Sequence, residues 1–193
     1  MIDEAVYFLK RHLNASLQAA SALSSDAAMA ETVVFVDGEK MNDSVVFPLG
    51  NVSALLLNLE EENHVRSPDP YLRVTPEGTR QRIHPEIRLN LFVLFVAHFK
   101  DYRQSLSYLS RIIQHFQCYR ILNQQNAPDL SEKIDQLVME LVTLPFSEQN
   151  EIWASLRSSY RPSILYKVKM VVFRDDGSAP AGEVKETILT ATS

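Results

Sequence analysis

The segment Leu89-Asn90-Leu91-Phe92-Val93-Leu94-Phe95-Val96-Ala97 is the most apolar run in the chain. It is about half the ~20 residues that a membrane-spanning helix requires, and it reads as a buried strand. A chain of 193 residues with 46% hydrophobic composition is long enough to surround such a strand, because a domain of this size buries roughly 70% of the surface its unfolded form exposes. One domain is expected, with no metal or disulfide needed to hold it. Only five glycines and nine prolines, with no homopolymeric tract, exclude collagen-like, low-complexity and wholly disordered classes.

Around that strand, Ile2, Val6, Leu9, Leu13, Leu17 and Ala20 recur at helical spacing, with Lys10, Arg11, Asn14 and Gln18 on other faces. This predicts an amphipathic opening helix. Ser21 to Ala30 favours a loop, and Thr32 to Val36 reads as a strand ended by Asp37-Gly38, where a hairpin is expected. Ser44-Val45-Val46-Phe47 and Val52 to Leu59 look like two strands joined by the turn Pro48-Leu49-Gly50-Asn51. Beyond the apolar run, Tyr102, Leu106, Leu109, Ile113 and Phe116 mark a second helix from about Asp101 to Gln117.

A short strand around Tyr119 to Leu122 leads to the polar turn Asn123 to Pro128. From Leu130 to Leu144 the pattern fits a helix on Ile134, Leu137, Val138 and Leu141, or a strand on Leu137, Met139 and Leu141; the strand is preferred. Ser147 to Trp153 resembles a capped short helix with Phe146 as the apolar residue ahead of the cap. Ile164 to Phe173 is the clearest strand, with Lys167 and Lys169 on one face, and Val184 to Thr190 is expected at an edge. The order of elements predicts an α+β fold: a mainly antiparallel sheet flanked by an N-terminal and a central helix, with residues 1–175 as the domain and 176–193 as an edge strand or tail.

Arg66 to Pro85 holds four prolines (Pro68, Pro70, Pro76, Pro85), and Arg66, Arg73, Arg80, Arg82 and Arg88 make the stretch basic. It reads as a long exposed loop, a kind of segment that usually carries binding function. The formal net charge is 19 − 24 = −5, but it is unevenly spread. Lys100, Arg103, Arg111 and Arg120 against Asp101 give +3 over residues 100–128, whereas Asp129 to Glu151 holds six acids against Lys133, giving −5. Complementary patches of this kind steer protein association. No aromatic-basic interleaving suggests nucleic acid.

Motifs for chemistry are missing. Cys118 is the sole cysteine, so an intrachain disulfide or a cysteine zinc cluster is impossible; its expected place is the interior of a protein kept in a reducing compartment. Met1-Ile2-Asp3-Glu4 is acidic where a secretory signal is basic, so no leader and no membrane partner are expected. His12, His64, His84, His98 and His115 form no HExxH pattern or short pair, and structural or exposed positions are expected for most of them. No serine sits in a G-x-S-x-G elbow, and the scattered glycines draw no phosphate or dinucleotide loop. Glu60-Glu61-Glu62 with His64 invites a metal or acid–base reading, but on a strand Glu60 and Glu62 project together and Glu61 opposite them. A solvated face or a partner contact fits better. No cofactor and no enzymatic activity are expected. A monomeric regulatory binding module and a carboxylate-dependent hydrolase are the alternatives.

Several segments, taken in order, resemble one family. Asn58-Leu59-Glu60-Glu61-Glu62 and Leu89 to Phe95 look like the paired strands flanking the variable loop in terminator, or cap, subunits of contractile injection systems. The helix carrying Tyr102, Leu106, Leu109 and Ile113 and ending in His115-Phe116-Gln117 continues the likeness. So do Leu144, Trp153 and Ser159-Tyr160-Arg161-Pro162-Ser163-Ile164-Leu165-Tyr166-Lys167-Val168. The resemblance spans about residues 2 to 175 and lies in the order and spacing of short motifs. It implies a structural subunit, synthesised in the cytoplasm, that forms a hexameric ring at the distal end of a phage-tail-like particle. There it stops inner-tube growth and holds the last sheath ring, with tube and sheath proteins as partners. Trp153, Tyr160, Pro162 and Tyr166 match family positions and are expected in core packing and turn geometry. The partner surface is expected at Glu60, Glu62, Arg66, Arg73, Arg80, Arg82 and Arg88, or at exposed strand edges open to backbone pairing.

Overall fold

The computed structural model describes residues 1–21, 31–36, 44–62, 72–74, 80–82, 88–172 and 179–180. The apolar run forms β5 (Arg88–His98), third of six strands in the principal sheet. In sheet order these are β1 (Val33–Phe35), β2 (Asn51–Glu61), β5, β8 (Ser163–Val172), β7 (Ile134–Val142) and β6 (Ile121–Asn123). Every neighbouring pair is antiparallel except β1 and β2, which run parallel.

β5 has no polar side because both of its faces are covered. Leu91, Val93, Phe95 and Ala97 join the core beneath α1 (Ile2–Ser21) and α2 (Tyr102–Cys118), while Leu94 and Val96 enter a smaller core beneath α3 (Phe146–Ser155). The larger core includes Leu9 and Leu13 of α1, Ile112 and Phe116 of α2, and Tyr166, Val168 and Met170 of β8. The smaller one gathers Val45, Phe47, Trp153, Leu156 and Leu165. The molecule is therefore two helices, a sheet and one helix in three layers. The α+β expectation, the opening helix and the strand reading of Leu130 to Leu144 all agree with this architecture.

Several local expectations need correction. Ser44 to Phe47 joins no ladder among the described residues: Val45 N–H donates to Leu156 O at 3.0 Å and His98 Nδ1 donates to Phe47 O at 2.8 Å, so it lies across the smaller core. A hairpin cannot lead from β1 into β2, because the two are parallel; Asp37-Gly38 itself lies outside the described residues. On α2 the buried stripe is Ser105, Leu109, Ile112 and Phe116, leaving Tyr102 and Leu106 exposed. The apolar residues of this helix occupy two adjacent stripes, and packing selects the one with 4-3-4 spacing. Cys118 lies off that stripe at the helix end and is exposed rather than buried. α3 starts earlier than a Ser147 cap allows: Gln149 N–H bonds Pro145 O at 3.0 Å, Pro145 takes the cap position with no side-chain bond, and Phe146, at 89% exposure, packs on nothing as a staple.

Part of the basic segment is regular structure rather than loop. β3 (Leu72–Val74) and β4 (Arg80–Arg82) pair antiparallel, and β9 (Ala179–Pro180) adds to β4, forming a separate three-stranded sheet. The edge strand expected at Val184 to Thr190 lies outside the described residues. No helix among the described residues is long and apolar enough to cross a membrane.

The short edge strand β1 is held by a side chain that imitates a neighbouring strand. Asn14 Nδ2 of α1 donates to Val33 O at 2.9 Å, and Val33 N–H donates to Asn14 Oδ1 at 2.8 Å. Both bonds are buried, so Asn14→Leu leaves a backbone donor and acceptor without partners in an apolar site. The expected cost is about 2–4 kcal/mol in urea unfolding. A loss below about 1 kcal/mol would show that β1 is held by packing alone.

Candidate partner interface

Among the residues expected at a partner surface, the fold brings Glu60, Glu62 and Arg88 to one end of the principal sheet. Glu60 pairs with Asn90 across the β2–β5 ladder, and Glu62 N–H extends that ladder by donating to Arg88 O at 2.8 Å. Arg73 stands opposite Gln81, Arg80 opposite Val74 and Arg82 opposite Leu72 in the small hairpin. Arg66 lies outside the described residues, as does His64.

A register shift between Leu56 and Asn58 decides which residues share a face here. Before the shift, Leu56 faces the larger core and Leu55 the smaller one. After it, Asn58 pairs with Phe92 and Glu60 with Asn90, whereas Leu59 pairs with Leu91 on the helix-covered face. Because Leu57 is left out of the pairing, Asn58 and Glu60 come to the α3 side of the sheet, beyond α3 itself. The same ladder rows continue through Lys167 and Lys169 on β8 to Glu140 and Val138 on β7.

This end of the sheet is a band of alternating charge. Lys169 Nζ lies 3.0 Å from Glu140 Oε1, the Arg120 guanidinium 3.7 Å from the same oxygen, and Lys167 Nζ 5.8 Å from the Phe92 ring centre. Asn58 Nδ2 donates to Glu60 Oε1 at 3.4 Å. Asn90, only 5% exposed, keeps its Oδ1 buried without a hydrogen-bond partner among the described residues. Part of the charge asymmetry read from sequence is consumed within the chain. Arg120 of the basic segment meets Glu140 of the acidic one, and Arg11 meets Asp129 at 3.0 Å. Among the described residues no group of three or more His, Cys, Asp or Glu is placed to hold a metal.

The four family-matching residues divide. Trp153 and Tyr166 are buried, and burial pushes the Tyr166 phenol up to about 12. Pro162 O accepts from Ala97 N–H at 2.9 Å, which ties the start of β8 to β5. Tyr160 departs from the core expectation: it is 61% exposed and rests edge-on against Trp153, 5.5 Å between ring centres.

A histidine pair between α1 and α2 is invisible in the sequence, since its members are far apart along the chain. His12 and His115 lie 4.9 Å apart by ring centre, and the Tyr119 ring is 5.0 Å from His115. His115 Nδ1 shares a 2.9 Å hydrogen bond with Ser16 Oγ, and the Nε2 atoms of both histidines are buried without a partner. Burial, aided by His12, lowers the His115 imidazole to about 4; burial also lowers His12, against the opposing pull of the Asp129 carboxylate. Because the folded state disfavours the protonated ring, the stability this site contributes is complete above the unfolded value near 6.5. It is lost as pH falls from there to about 4. The expected loss is about 2–3 kcal/mol over that window. His115→Gln should lack this loss, so the wild-type-minus-variant stability should fall as pH drops from 6.5 to about 4, and parallel pH profiles would remove His115 from the acid response.

A family model described as the Pvc16 N-terminal domain matches residues 5–187, continuing beyond Asp175 and taking in β9. No curated protein matches the chain. Among solved structures, the sheath/tube terminator of the PVC extracellular contractile injection system, in its extended state, superposes with a TM-score of 0.55 at 17% identity, covering 100% of this chain and 65% of that one. The anti-feeding prophage cap, a tube-terminating cap, gives 0.49 at 15% identity over 93% of this chain and 60% of that one. The chain thus spans less than two thirds of the length of either. The match to the family model runs from the first turns of α1 past the last described strand, and the chain belongs to the Pvc16 N-terminal domain family.

Proposed function

We propose that this protein caps the distal end of a contractile injection particle, stopping growth of the inner tube and holding the last ring of the sheath. The observation that carries the reading is the family match over residues 5–187, supported by a fold shared along the whole chain with a sheath/tube terminator. The role is structural rather than enzymatic, and the protein ends its life inside an assembled particle after synthesis in the cytoplasm. Residues 1–175 act as the capping unit and 176–193 as its tail. A closed ring, hexameric in this reading, needs one face of the subunit to complement a different face of the next, because head-to-tail contacts close only under that condition. The charged band of Glu60, Lys167, Lys169 and Glu140, with Glu62, Arg88 and the arginines Arg66, Arg73, Arg80 and Arg82, supplies the contact to tube or sheath.

The test is a deletion strain imaged by negative stain. Particles lacking the protein should carry overlong, irregular or unsheathed tubes, since the growing end has lost its stop. Complementation with the wild-type gene should restore a narrow length distribution. Complementation with Arg73→Glu, Arg80→Glu and Arg82→Glu combined should not, although the variant should melt within about 0.5 kcal/mol of the parent, as surface substitutions usually do. Unchanged tube lengths in the deletion strain would sink the capping reading; restoration by the triple variant would remove only the arginines from it.

A further inference from the structure

α3 ends in a reciprocal pair of backbone bonds: Arg157 N–H donates to Ala154 O at 3.1 Å and Ser158 N–H to Trp153 O at 3.4 Å, with Leu156 as the C-cap. This termination places the residue after the cap in the left-handed region, where glycine is the usual occupant. Here it is Arg157, at φ +49°, the sole non-glycine residue with positive φ among those described. A side chain retained at a strained position points to a use for that side chain. Arg157 is exposed, and among the described residues no carboxylate lies within ion-pair reach of it.

Its surroundings are those of a binding surface. Arg157, Tyr160, Trp153, Asn150 and Glu151 line a shallow depression of about 690 Å³. The segment carrying Arg157 and Tyr160 is pinned at both ends, by Val45 N–H on Leu156 O at 3.0 Å and Ala97 N–H on Pro162 O at 2.9 Å. Tyr160 is held edge-on by buried Trp153 yet stays largely exposed, so its ring is a ready-made apolar wall. Rigid tyrosine beside an unpaired arginine is the composition that anchors protein interfaces.

We propose that Arg157 and Tyr160 form a docking site for an extended protein segment that carries a carboxylate next to an apolar residue, the carboxylate meeting the Arg157 guanidinium in a bidentate pair and the apolar side chain lying on the Tyr160 ring. The site stands apart from the charged band of the capping surface and rests on its own geometry.

Trp153 is the single tryptophan of the chain, so intrinsic fluorescence reports on this depression directly. Titration with a peptide of alternating proline and glutamate should shift its emission saturably, and the matching proline–lysine peptide should not. Tyr160→Ala and Arg157→Glu should each weaken binding at least tenfold. The informative variant is Arg157→Gly, which relieves the backbone strain: it should melt roughly 2–4 °C higher while binding as poorly as Arg157→Glu. No saturable response to the acidic peptide, an equal response to the basic one, or full binding by Arg157→Gly would each overturn the proposal. Co-sedimentation of the same variants with particles from the deletion strain speaks separately to capping. Wild-type protein that binds peptide but not particles would reject the cap and leave this site standing.

Discussion

Phe95→Ala should cost about 3–5 kcal/mol, among the largest losses available to a single truncation in this protein. Phe95 is fully buried on the central strand, where its ring meets Phe116 of α2 at 6.2 Å and Tyr166 of β8 at 6.1 Å between centres. Phe116 and Tyr166 are in turn 5.0 Å apart. Removing this ring leaves a cavity bounded by a helix and two strands that pair along most of their length, so the surroundings have little freedom to collapse into it. Against a typical total stability of about 5–15 kcal/mol, the variant is expected to melt roughly 10 °C or more below the parent. Leu59→Ala, on the same sheet but 44% exposed, is the control and should lie within about 1 kcal/mol of wild type. Equal losses at the two positions would contradict the assignment of the core.

Trp153→Ala should destabilise by a similar amount, about 3–5 kcal/mol, but with a different distribution. Trp153 is 5% exposed and packs on Phe47 at 5.8 Å, inside the smaller core that fastens α3 and the Val45–Phe47 segment to the sheet. The helices on the opposite face share none of those contacts. Hydrogen exchange in the variant should therefore accelerate across α3 and around Val45, while Leu9, Leu13 and Ile112 keep their protection. Uniform acceleration throughout the chain would mean that the two cores fail as one unit.

What the sequence disclosed follows from which contacts are local. β5 was legible because a strand buried on both faces has only its length and apolar character to show, and Leu89 to Ala97 shows both. α1 was legible because one stripe dominates it. α2 was legible as a helix but not in its buried stripe, since Tyr102, Leu106 and Ile113 are as apolar as the residues that packing buries; only the sheet distinguishes the stripes. The parallel pairing of β1 with β2 is a tertiary choice fixed in part by Asn14, a residue that reads simply as a polar position on a helix. The same holds for the sites. The carboxylates Glu60 and Glu62 announced themselves as a run, whereas the His12–His115 pair and the setting of Arg157 exist only after distant segments meet. A glycine after α3 would have announced that helix end; arginine in its place concealed it.

The extra residue in β2 between Leu56 and Asn58 has a meaning for how this surface is able to change over generations. Point substitutions alter one side chain at a time, and turning the far end of β2 over would take several of them together. Loss of a single codon there does not do it either: with the ladder upstream untouched, removal of Leu57 closes the irregularity and leaves Asn58, Leu59 and Glu60 opposite Phe92, Leu91 and Asn90 as before. The tip of β2 therefore keeps its phase through a change of length at that point, and its chemistry follows from its letters. A lineage shortened by one residue there would still meet its neighbours with glutamate, on a regular strand in place of an irregular one.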